Sequence, residues 1–235
     1  MIDFHSHILP NIDDGSKSME ETISLLEEAE KAGFTKIVST SHYMEQYYET
    51  NEEQRLELIN KVKEQSQGID LFLGSEIYVT EELINLLHNK KASTINNTKY
   101  VLFELPLNAK EIGAKEIIYK LIENDYIPII AHPERYSYVQ KDINYIKELT
   151  QMGALLQANY GSIIGMYGNK AKKTVKKLLK NDEIQFLGSD VHRPGQVYDK
   201  MPKIMKKLKK TISEDKIEEL TTINPQKVLD NEDII

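Results

Sequence analysis

Short apolar runs alternate with amphipathic segments along this chain, and together they predict a parallel α/β fold. Seven runs, most of them rich in β-branched and aromatic residues, have the length and composition of strands. They lie at Met1–Phe4, Thr35–Ser41, Asp70–Glu76, Tyr100–Leu105, Tyr126–Ala131, Ala154–Asn159 and Ile184–Ser189. Strands that alternate with helices in this way are typical of a parallel barrel or a doubly wound sheet.

Apolar residues spaced three and four apart predict the helices between these strands. Ser18 and Glu21 form a capping-box pattern, which begins a helix that runs to about Lys31. The other predicted helices are Asn51–Gln67, a short segment capped by Thr80, Glu111–Asn124, Asp142–Gln151, Lys170–Leu179 and a helical tail from Asp199 to Ile235. The charged residues of Asn51–Gln67, Arg55 among them, are interpreted as a solvated face.

Histidines and carboxylates follow almost every predicted strand. His5 and His7 stand at i and i+2, a spacing that points two side chains to the same face of a strand. The other candidates in these positions are Asp14, His42, Glu76, Glu104, His132, Asp190 and His192. A closed barrel brings all strand ends to one rim, whereas an open sheet gathers them only at a switch point. The distribution therefore favours a barrel with a metal site, and only His88 is expected to be purely structural.

Length, net charge and cysteine content limit the domain organisation and the functions expected of this chain. The chain has 235 residues and no Pro/Gly/Ser linker, which predicts a single domain over residues 1–235. Its net charge of −7 argues against nucleic-acid binding. The absence of cysteine excludes a thiolate nucleophile. No signal peptide and no long apolar segment is present, so we expect a cytoplasmic protein without membrane insertion. The tail lysines are expected to form a solvated face, although they are able to attract an anion; they are Lys200, Lys203, Lys206, Lys207, Lys209 and Lys210.

Seven motifs at the strand exits carry a resemblance that covers residues 2 to about 193. They are His5-Ser6-His7, Asp13-Asp14-Gly15, Ser41-His42, Gly74-Ser75-Glu76, Phe103-Glu104-Leu105-Pro106, Ala131-His132-Pro133-Glu134-Arg135-Tyr136 and Gly188-Ser189-Asp190-Val191-His192-Arg193. In order and spacing they resemble the polymerase and histidinol phosphatase (PHP) superfamily. Within it, the chain is most similar to the bacterial capsule-type, manganese-dependent protein-tyrosine phosphatases. The resemblance implies a distorted seven-stranded, TIM-like (β/α)7 barrel.

The same resemblance implies a trinuclear metal centre. It assigns His5, His7, Glu76 and Asp190 to one ion, Glu104 and His132 to a second ion bridged by Glu76, and Asp14, His42 and His192 to a third. Asp13 is an alternative to Asp14, since adjacent carboxylates are not distinguished by sequence; Asp14 is preferred. Mn²⁺ comes from the resemblance, because these ligand types suit Fe²⁺ or Zn²⁺ as well.

The implied reaction is hydrolysis of phosphotyrosine in a protein, with a metal-bound hydroxide attacking phosphorus. Arg135 and Arg193 follow ligand histidines closely and are expected to bind the phosphate. Asp14 and His192 lie in the region where a general acid would act. The implied partner is a bacterial tyrosine kinase that controls capsule and exopolysaccharide synthesis.

Three other functions remain open on the sequence. A small-molecule PHP phosphatase, such as histidinol phosphatase, would use the same metals with a different pocket. A DNA-processing nuclease is disfavoured by the acidic chain. A non-catalytic, metal-binding regulatory module is the third, and the presence of every expected ligand type argues against it.

Overall fold

Short parallel strands, most of them followed by helices, make up the part of the chain that the computed structural model describes, namely residues 1–66, 68–110 and 113–234. The strands are β1 (Ile2–Ser6), β2 (Lys36–Ser39), β3 (His42–Tyr43), β4 (Asp70–Leu73), β5 (Glu76–Tyr78), β6 (Tyr100–Glu104), β7 (Ile127–Ala131), β8 (Leu155–Asn159) and β9 (Phe186–Gly188). They form a three-stranded sheet in the order β1-β2-β4 and a six-stranded sheet in the order β3-β5-β6-β7-β8-β9. All pairings are parallel, as the alternating pattern predicts.

The helices mostly follow the apolar periodicity. They are α1 (Met19–Lys31), α2 (Glu52–Gln65), α3 (Leu83–His88), α4 (Ala114–Glu123), α5 (Ser137–Lys141), α6 (Asn144–Gln151), α7 (Tyr160–Ile164), α8 (Gly168–Lys180), α9 (Met201–Leu208), α10 (Glu214–Glu218) and α11 (Asn224–Leu229). Short 3₁₀ turns occur at Ile95–Asn97, Pro133–Arg135 and Tyr198–Lys200, and the π-helical turn Glu219–Ile223 divides the helical tail. Each of these helices is too short or too polar to traverse a bilayer.

Two predicted strands end earlier than expected and are followed, after a bend, by a second short strand. Thr35–Ser41 ends as β2 at Ser39, and β3 begins beyond its predicted end; Asp70–Glu76 ends as β4 at Leu73, and only Glu76 belongs to β5. In both cases the second strand lies in the other sheet. Backbone hydrogen bonds from Gly74 N to Ser39 O and from Glu76 N to Thr40 O cross this break. A Cβ on Gly74 would lie 2.8 Å from Ile95 Cδ1, so a larger residue there would displace the end of the Ile95 side chain. The bend matters for the site, since β3 and β5 then pair His42 directly with Glu76.

The first and last strands meet at their carboxyl ends. His7 N donates to Val191 O at 3.0 Å and Asp190 N donates to His5 O at 2.8 Å. Gly188 permits this contact, because a Cβ there would lie 2.5 Å from His5 Cβ. The result is a curled parallel sheet whose two ends bring residues from opposite ends of the sequence together.

Alternation along the strands divides the core into two layers. Leu102 and Ile129 pack with Phe4 and Phe186, whose rings stack at 4.2 Å, in a small inner cluster. The alternate residues, such as Val101, pack outward in the larger cluster that includes the helices. Side chains at i and i+2 in a strand share a face, so Glu104 lies on the same inner face as Leu102.

Some predictions on the helices need correction. Arg55 is not part of a solvated face: it is fully buried. The pattern missed α5 and α7, which are only five residues long. Three predicted helix residues, Gln67, Glu111 and Ile112, and the terminal Ile235 lie outside the described residues.

Candidate metal centre

The end of β1, the start of β5 and the turn after β9 bring four potential metal ligands together in the interior. His5 Nε2 and His7 Nε2 are 3.1 Å apart, and each lies close to Glu76 Oε2, at 3.1 and 3.2 Å respectively. Asp190 Oδ1 lies 3.7 Å from His5 Nε2 and 3.4 Å from His7 Nε2. All four residues are buried, and one donor atom from each lies within 4.8 Å of the others.

Hydrogen bonds at Nδ1, the ring nitrogen that faces away from the cluster, indicate the tautomers of His5 and His7. His5 Nδ1 contacts Gln157 Oε1 at 2.8 Å, and His7 Nδ1 contacts Asp13 Oδ2 at 2.8 Å. Both partners accept hydrogen bonds through these oxygens, so the protons belong on Nδ1. The Nε2 lone pairs of both histidines are therefore directed into the cluster, which is the arrangement of a metal-binding imidazole.

A second group lies nearer the solvent and shares His7 with the first. Its members are His7, Asp14, His42 and His192. Asp14 Oδ1 lies 3.2 Å from His192 Nε2 and 3.7 Å from His42 Nε2. His192 Nδ1 contacts the carbonyl oxygen of Asp190 at 2.9 Å, which again leaves Nε2 for the cluster.

The two adjacent aspartates have separate positions. Asp13 is buried and accepts hydrogen bonds from the backbone N–H groups of Gly15 and His42, at 2.8 and 2.9 Å, besides its contact with His7. Asp14 is half-exposed and faces the histidines of the second group. The geometry thus directs the carboxylate of Asp14 into the cluster, while Asp13 orients His7 from behind.

Glu76 connects these residues to a third region. Its Oε2 lies 3.2 Å from His42 Nδ1, and its Oε1 lies 2.8 Å from His132 Nε2. Glu104 Oε1 lies 3.7 Å from His132 Nε2. Both carboxylate oxygens of Glu76 are thus engaged with different histidines, which is the position of a bridging ligand.

The spacing of these donor atoms fits a divalent cation. Two atoms that bind one ion at about 2.1 Å are about 3.0 to 3.4 Å apart at octahedral or tetrahedral angles. The contacts among His5, His7, Glu76 and Asp190 are close to that spacing. Without a cation, and against the effect of burial, Glu76 beside His5 and Asp13 beside His7 raise the pKa of both imidazoles, so protons would take the place of the ion between the Nε2 atoms.

The pKa shifts of two buried residues, Glu104 and His132, also fit a metal centre. Burial and the neighbouring Glu76 raise the pKa of Glu104 to about 9. Burial, with the nearby Arg135, lowers the pKa of His132 to about 4. A neutral imidazole has the lone pair that a metal needs, and a bound cation would favour the ionised carboxylate. The residues present therefore fit a metal centre.

Arg135 lies at the edge of the cluster. Its Nη1 donates to Asp190 Oδ2 at 2.6 Å, and its guanidinium carbon lies 4.6 Å from the centre of the Tyr167 ring. Asn159 Nδ2 donates to the same Asp190 oxygen, also at 2.6 Å. These contacts leave Asp190 Oδ1 for the histidines.

Arg193 is held by the backbone of the turn after β1. Its Nη1 donates to the carbonyl oxygens of Asp14, at 2.8 Å, of Gly15 and of His192, at 2.6 Å. It therefore fastens the turn that carries Asp14 to the turn that carries His192.

Two candidate ligands have unusual backbone conformations. His132 has φ 32° and Asp190 has φ 53°, in the left-handed region that non-glycine residues rarely occupy. Each follows a strand on which the preceding residues continue the regular alternation. The left-handed turn redirects the side chain, and such strain is typically found where a site requires it.

The structure brings all nine sequence-predicted ligands to one rim and leaves His88, exposed at the end of α3, outside it. Sequence reasoning missed Gln157, Asn159 and Tyr167. A signal for the first two was present: Leu155, Gln157 and Asn159 share one face of β8, and polar residues on the inner face of a buried strand need partners.

Comparisons with known proteins agree with this geometry. A family model described as "Capsular polysaccharide synthesis, CpsB/CapC" matches residues 1–230. The putative tyrosine-protein phosphatase CapC of Staphylococcus aureus is 36% identical over 196 residues, which cover 82% of this chain and 77% of that protein. The tyrosine-protein phosphatase CpsB of Streptococcus pneumoniae is 32% identical over 238 residues, covering 97% and 98%.

Solved structures show similar folds. The crystal structures of YwqE from Bacillus subtilis and CpsB from Streptococcus pneumoniae, described as unique metal-dependent tyrosine phosphatases, include a chain that matches with a TM-score of 0.90 and 28% identity. The match covers 100% of this chain and 96% of that one. The histidinol phosphate phosphatase of Lactococcus lactis, with a TM-score of 0.55 and 16% identity, covering 89% and 93%, shares the fold alone.

Proposed function

The chain belongs to the CpsB/CapC family of capsular polysaccharide synthesis, and we propose that it is a metal-dependent phosphatase that removes phosphate from tyrosine in proteins. The observation that carries this proposal is the convergence of nine imidazoles and carboxylates from separate strand ends, with lone pairs directed at common points. The relatives named tyrosine-protein phosphatases supply the substrate class.

We propose the assignment to three ions that the family resemblance implies; the donor groups around His5 and around His192 support two of the sites, while His42 also lies close to Glu76 and Glu104. His5, His7, Glu76 and Asp190 would hold the first, Glu76, Glu104 and His132 the second, and Asp14, His42 and His192 the third. Mn²⁺ is the proposed native metal, and Fe²⁺ and Zn²⁺ suit the same donors. When bound, such ions lower the pKa of water and shield the charge of a phosphate.

Two arginines, Arg135 and Arg193, and the partly exposed pair of Asp14 and His192 are the other side chains proposed to act on the substrate. A guanidinium has five N–H donors, so the backbone contacts of Arg193 Nη1 leave its other nitrogens for a phosphate oxygen. Arg135, which pairs with Asp190 through Nη1, is proposed to take the same role with its other nitrogens. Asp14 and His192, 3.2 Å apart and partly exposed, lie in the region where a general acid would act, but both are also proposed ligands of the third ion, so neither is assigned the proton. A phenolate, with a pKa of about 10, needs only modest assistance.

An aromatic side chain next to the cluster supports a phenyl substrate. The ring of Tyr48 stacks on His42, with centroids 5.9 Å apart and planes 15° from parallel. Tyr48 belongs to a small antiparallel turn held by hydrogen bonds with Met44. We propose that this ring contacts the phenyl group of the bound phosphotyrosine.

The proposal also covers the number of barrel strands, the domain organisation, the cellular location and the protein substrate. Joining β2 to β3 and β4 to β5 across their bends yields seven barrel strands, in a single domain over residues 1–235. We propose a cytoplasmic enzyme whose substrate is a tyrosine kinase that controls capsule or exopolysaccharide synthesis.

Steady-state kinetics on three substrates test the proposal. The protein is stripped with a chelator, Mn²⁺ is added back, and a phosphotyrosine peptide is compared with a phosphoserine peptide and histidinol phosphate. We expect Mn²⁺-dependent turnover of phosphotyrosine only, lost in His5→Ala and retained in His88→Ala, the matched control outside the site. Preference for histidinol phosphate would overturn the substrate, and turnover without any metal would overturn the mechanism.

A further inference from the structure

Five lysines form a cluster on α8, on α9 and on the turn that follows α9, and none has a carboxylate partner in the part of the chain that the structure describes. Lys172, Lys176, Lys203, Lys207 and Lys210 form this lysine cluster. Within the described residues, none of the five ammonium groups lies within 4.0 Å of a carboxylate, whereas Lys209 and Lys216 nearby are paired with Glu214 and Asp182. Like charges without partners repel one another and destabilise a surface unless a ligand neutralises them.

Two of these lysines are pressed together. Lys172 and Lys207 are each only half-exposed, and the ammonium group of Lys172, followed by those of Lys203 and Lys176, lowers the pKa of Lys207. An ordinary solvated helix face separates its charges by rotating the side chains into water. Here Lys172 and Lys207 interact directly, and with Lys176 and Lys210 they line one concave surface.

That concave surface has an apolar floor. Ile163, Val175 and Leu179 lie beneath four of the lysines in a cavity of about 220 Å³. A floor of this kind suits an apolar or aromatic side chain, and a rim of lysines suits acidic groups on either side of it. The combination matches an acidic peptide segment better than it matches a single small anion.

The lysine cluster is connected to the metal centre through a short segment. Tyr167, whose hydroxyl lies 3.4 Å from Asp190 Oδ2, is the residue before α8. Lys172 lies five residues later, an axial rise of about 7.5 Å. At about 3.3 Å per extended residue, this rise to Lys172 corresponds to two or three residues of a peptide, and the cavity continues from there along α8 to Leu179.

The negative net charge of the chain makes a local positive site favourable for binding an acidic substrate. The chain carries a net charge of −7 and would repel an acidic substrate. We propose that the lysine cluster is a second substrate-binding site, which holds an acidic segment that flanks the phosphotyrosine of the protein substrate. This inference rests on the proposed function for the identity of the substrate, but binding to the patch is measurable without catalysis.

Two peptides of equal length test the proposal. One carries phosphotyrosine followed by a Glu-rich extension, and the other replaces each Glu with Gln. We expect the Glu-rich peptide to have the higher kcat/KM, through a lower KM, by about fivefold, because exposed ion pairs contribute modestly. Lys172→Gln/Lys207→Gln should remove this preference, and so should high salt. All variants should hydrolyse p-nitrophenyl phosphate equally.

The matched control is Lys61→Gln/Lys63→Gln on α2, where both side chains are exposed. It makes the same change in net charge away from the patch and should retain the preference. Equal kcat/KM for the Glu-rich and Gln-rich peptides in the wild-type enzyme would overturn the second site while leaving the phosphatase intact.

A binding measurement separates this proposal from the proposed function. Fluorescence anisotropy of the Glu-rich peptide, without phosphotyrosine, is measured on chelated wild-type protein and on both lysine variants. Binding that depends on Lys172 and Lys207 would support the second site even if no phosphotyrosine substrate were hydrolysed. Binding of anionic vesicles through the same lysines, with no binding of the peptide, would overturn the proposal and assign the patch to a lipid surface.

Discussion

Asp13 and Asp14 are chemically identical neighbours, and their different surroundings give them different expected effects. Asp13 accepts from His7 Nδ1 at 2.8 Å and from two backbone N–H groups, so it acts on the cluster only through His7. Asp14 lies among the histidines themselves. A carboxylate behind a ligand histidine fixes its ring orientation and increases its basicity.

Asp13→Asn should therefore weaken Mn²⁺ binding by about 10- to 100-fold with a smaller effect on the rate at saturating metal. Asp14→Asn, the adjacent control, should lower the rate even when metal is saturating, because it changes a group within the cluster. Activity measured against free Mn²⁺ concentration distinguishes the two. An unchanged Mn²⁺ requirement in Asp13→Asn would refute the orienting role.

Helix α2 stabilises both strand breaks through one buried arginine. Arg55 Nη2 donates to the carbonyl oxygen of His42 at 3.0 Å, and Nη1 donates to Ser75 Oγ. These two acceptors lie next to the bends between β2 and β3 and between β4 and β5. One side chain thus supports the positions of His42 and Glu76 together.

Arg55→Leu should lower the free energy of unfolding by about 2 kcal/mol, because it leaves buried hydrogen-bonding groups without a partner. Urea denaturation measures this loss. Glu57→Gln, an exposed change on the same helix, should shift stability by less than about 0.5 kcal/mol. If Arg55→Leu were as stable as Glu57→Gln, the hydrogen bonds of Arg55 would make no net contribution to the free energy of unfolding.

The start of α1 gives a smaller and independent prediction. Ser18 caps this helix, with its hydroxyl accepting from Glu21 N at 3.2 Å. Ser18→Ala should cost about 1 kcal/mol in thermal or urea unfolding. Ser24→Ala, within the same helix, should be neutral or slightly stabilising because alanine favours helix interiors. A larger loss in Ser24→Ala would contradict the capping role.

The elements differ in how readily the sequence predicts them. Long amphipathic helices such as α1 and α8 follow from their apolar spacing, since periodicity over three turns is hard to produce by chance. The strand breaks do not follow, because the bends depend on packing, such as the contact of Gly74 with Ile95. The burial of Arg55 carried a signal that was not used: it stands four residues before Ile59 and seven before Val62, on the buried face of α2.

The candidate site, like the fold, could be predicted from the sequence only in part. Residue types at strand exits predicted the nine donors because parallel strands end at one edge. The residues that orient them, Asp13 behind His7 and Gln157 behind His5, depend on side-chain rotation that no spacing rule gives. The left-handed conformation of His132 likewise depends on tertiary context.

For the whole molecule, metal binding and stability should be coupled. Glu76, Glu104 and Asp190 are buried close together, and a cation offsets their repulsion in the folded state only. Chelation should therefore lower Tm, and added Mn²⁺ should raise it with concentration, because at a hundred times Kd binding at one site adds about 2.7 kcal/mol to the free energy of unfolding. Differential scanning fluorimetry measures both. A Tm unaffected by chelation and by Mn²⁺ would contradict the coupling.

Anomalous diffraction at the manganese edge, on crystals grown with Mn²⁺, tests the central claim most directly. Three peaks are predicted at the strand ends: one among His5, His7, Glu76 and Asp190, one between Glu76, Glu104 and His132, and one among Asp14, His42 and His192. No peak among these nine side chains, or peaks only elsewhere on the molecule, would contradict the metal centre and the catalytic mechanism based on it.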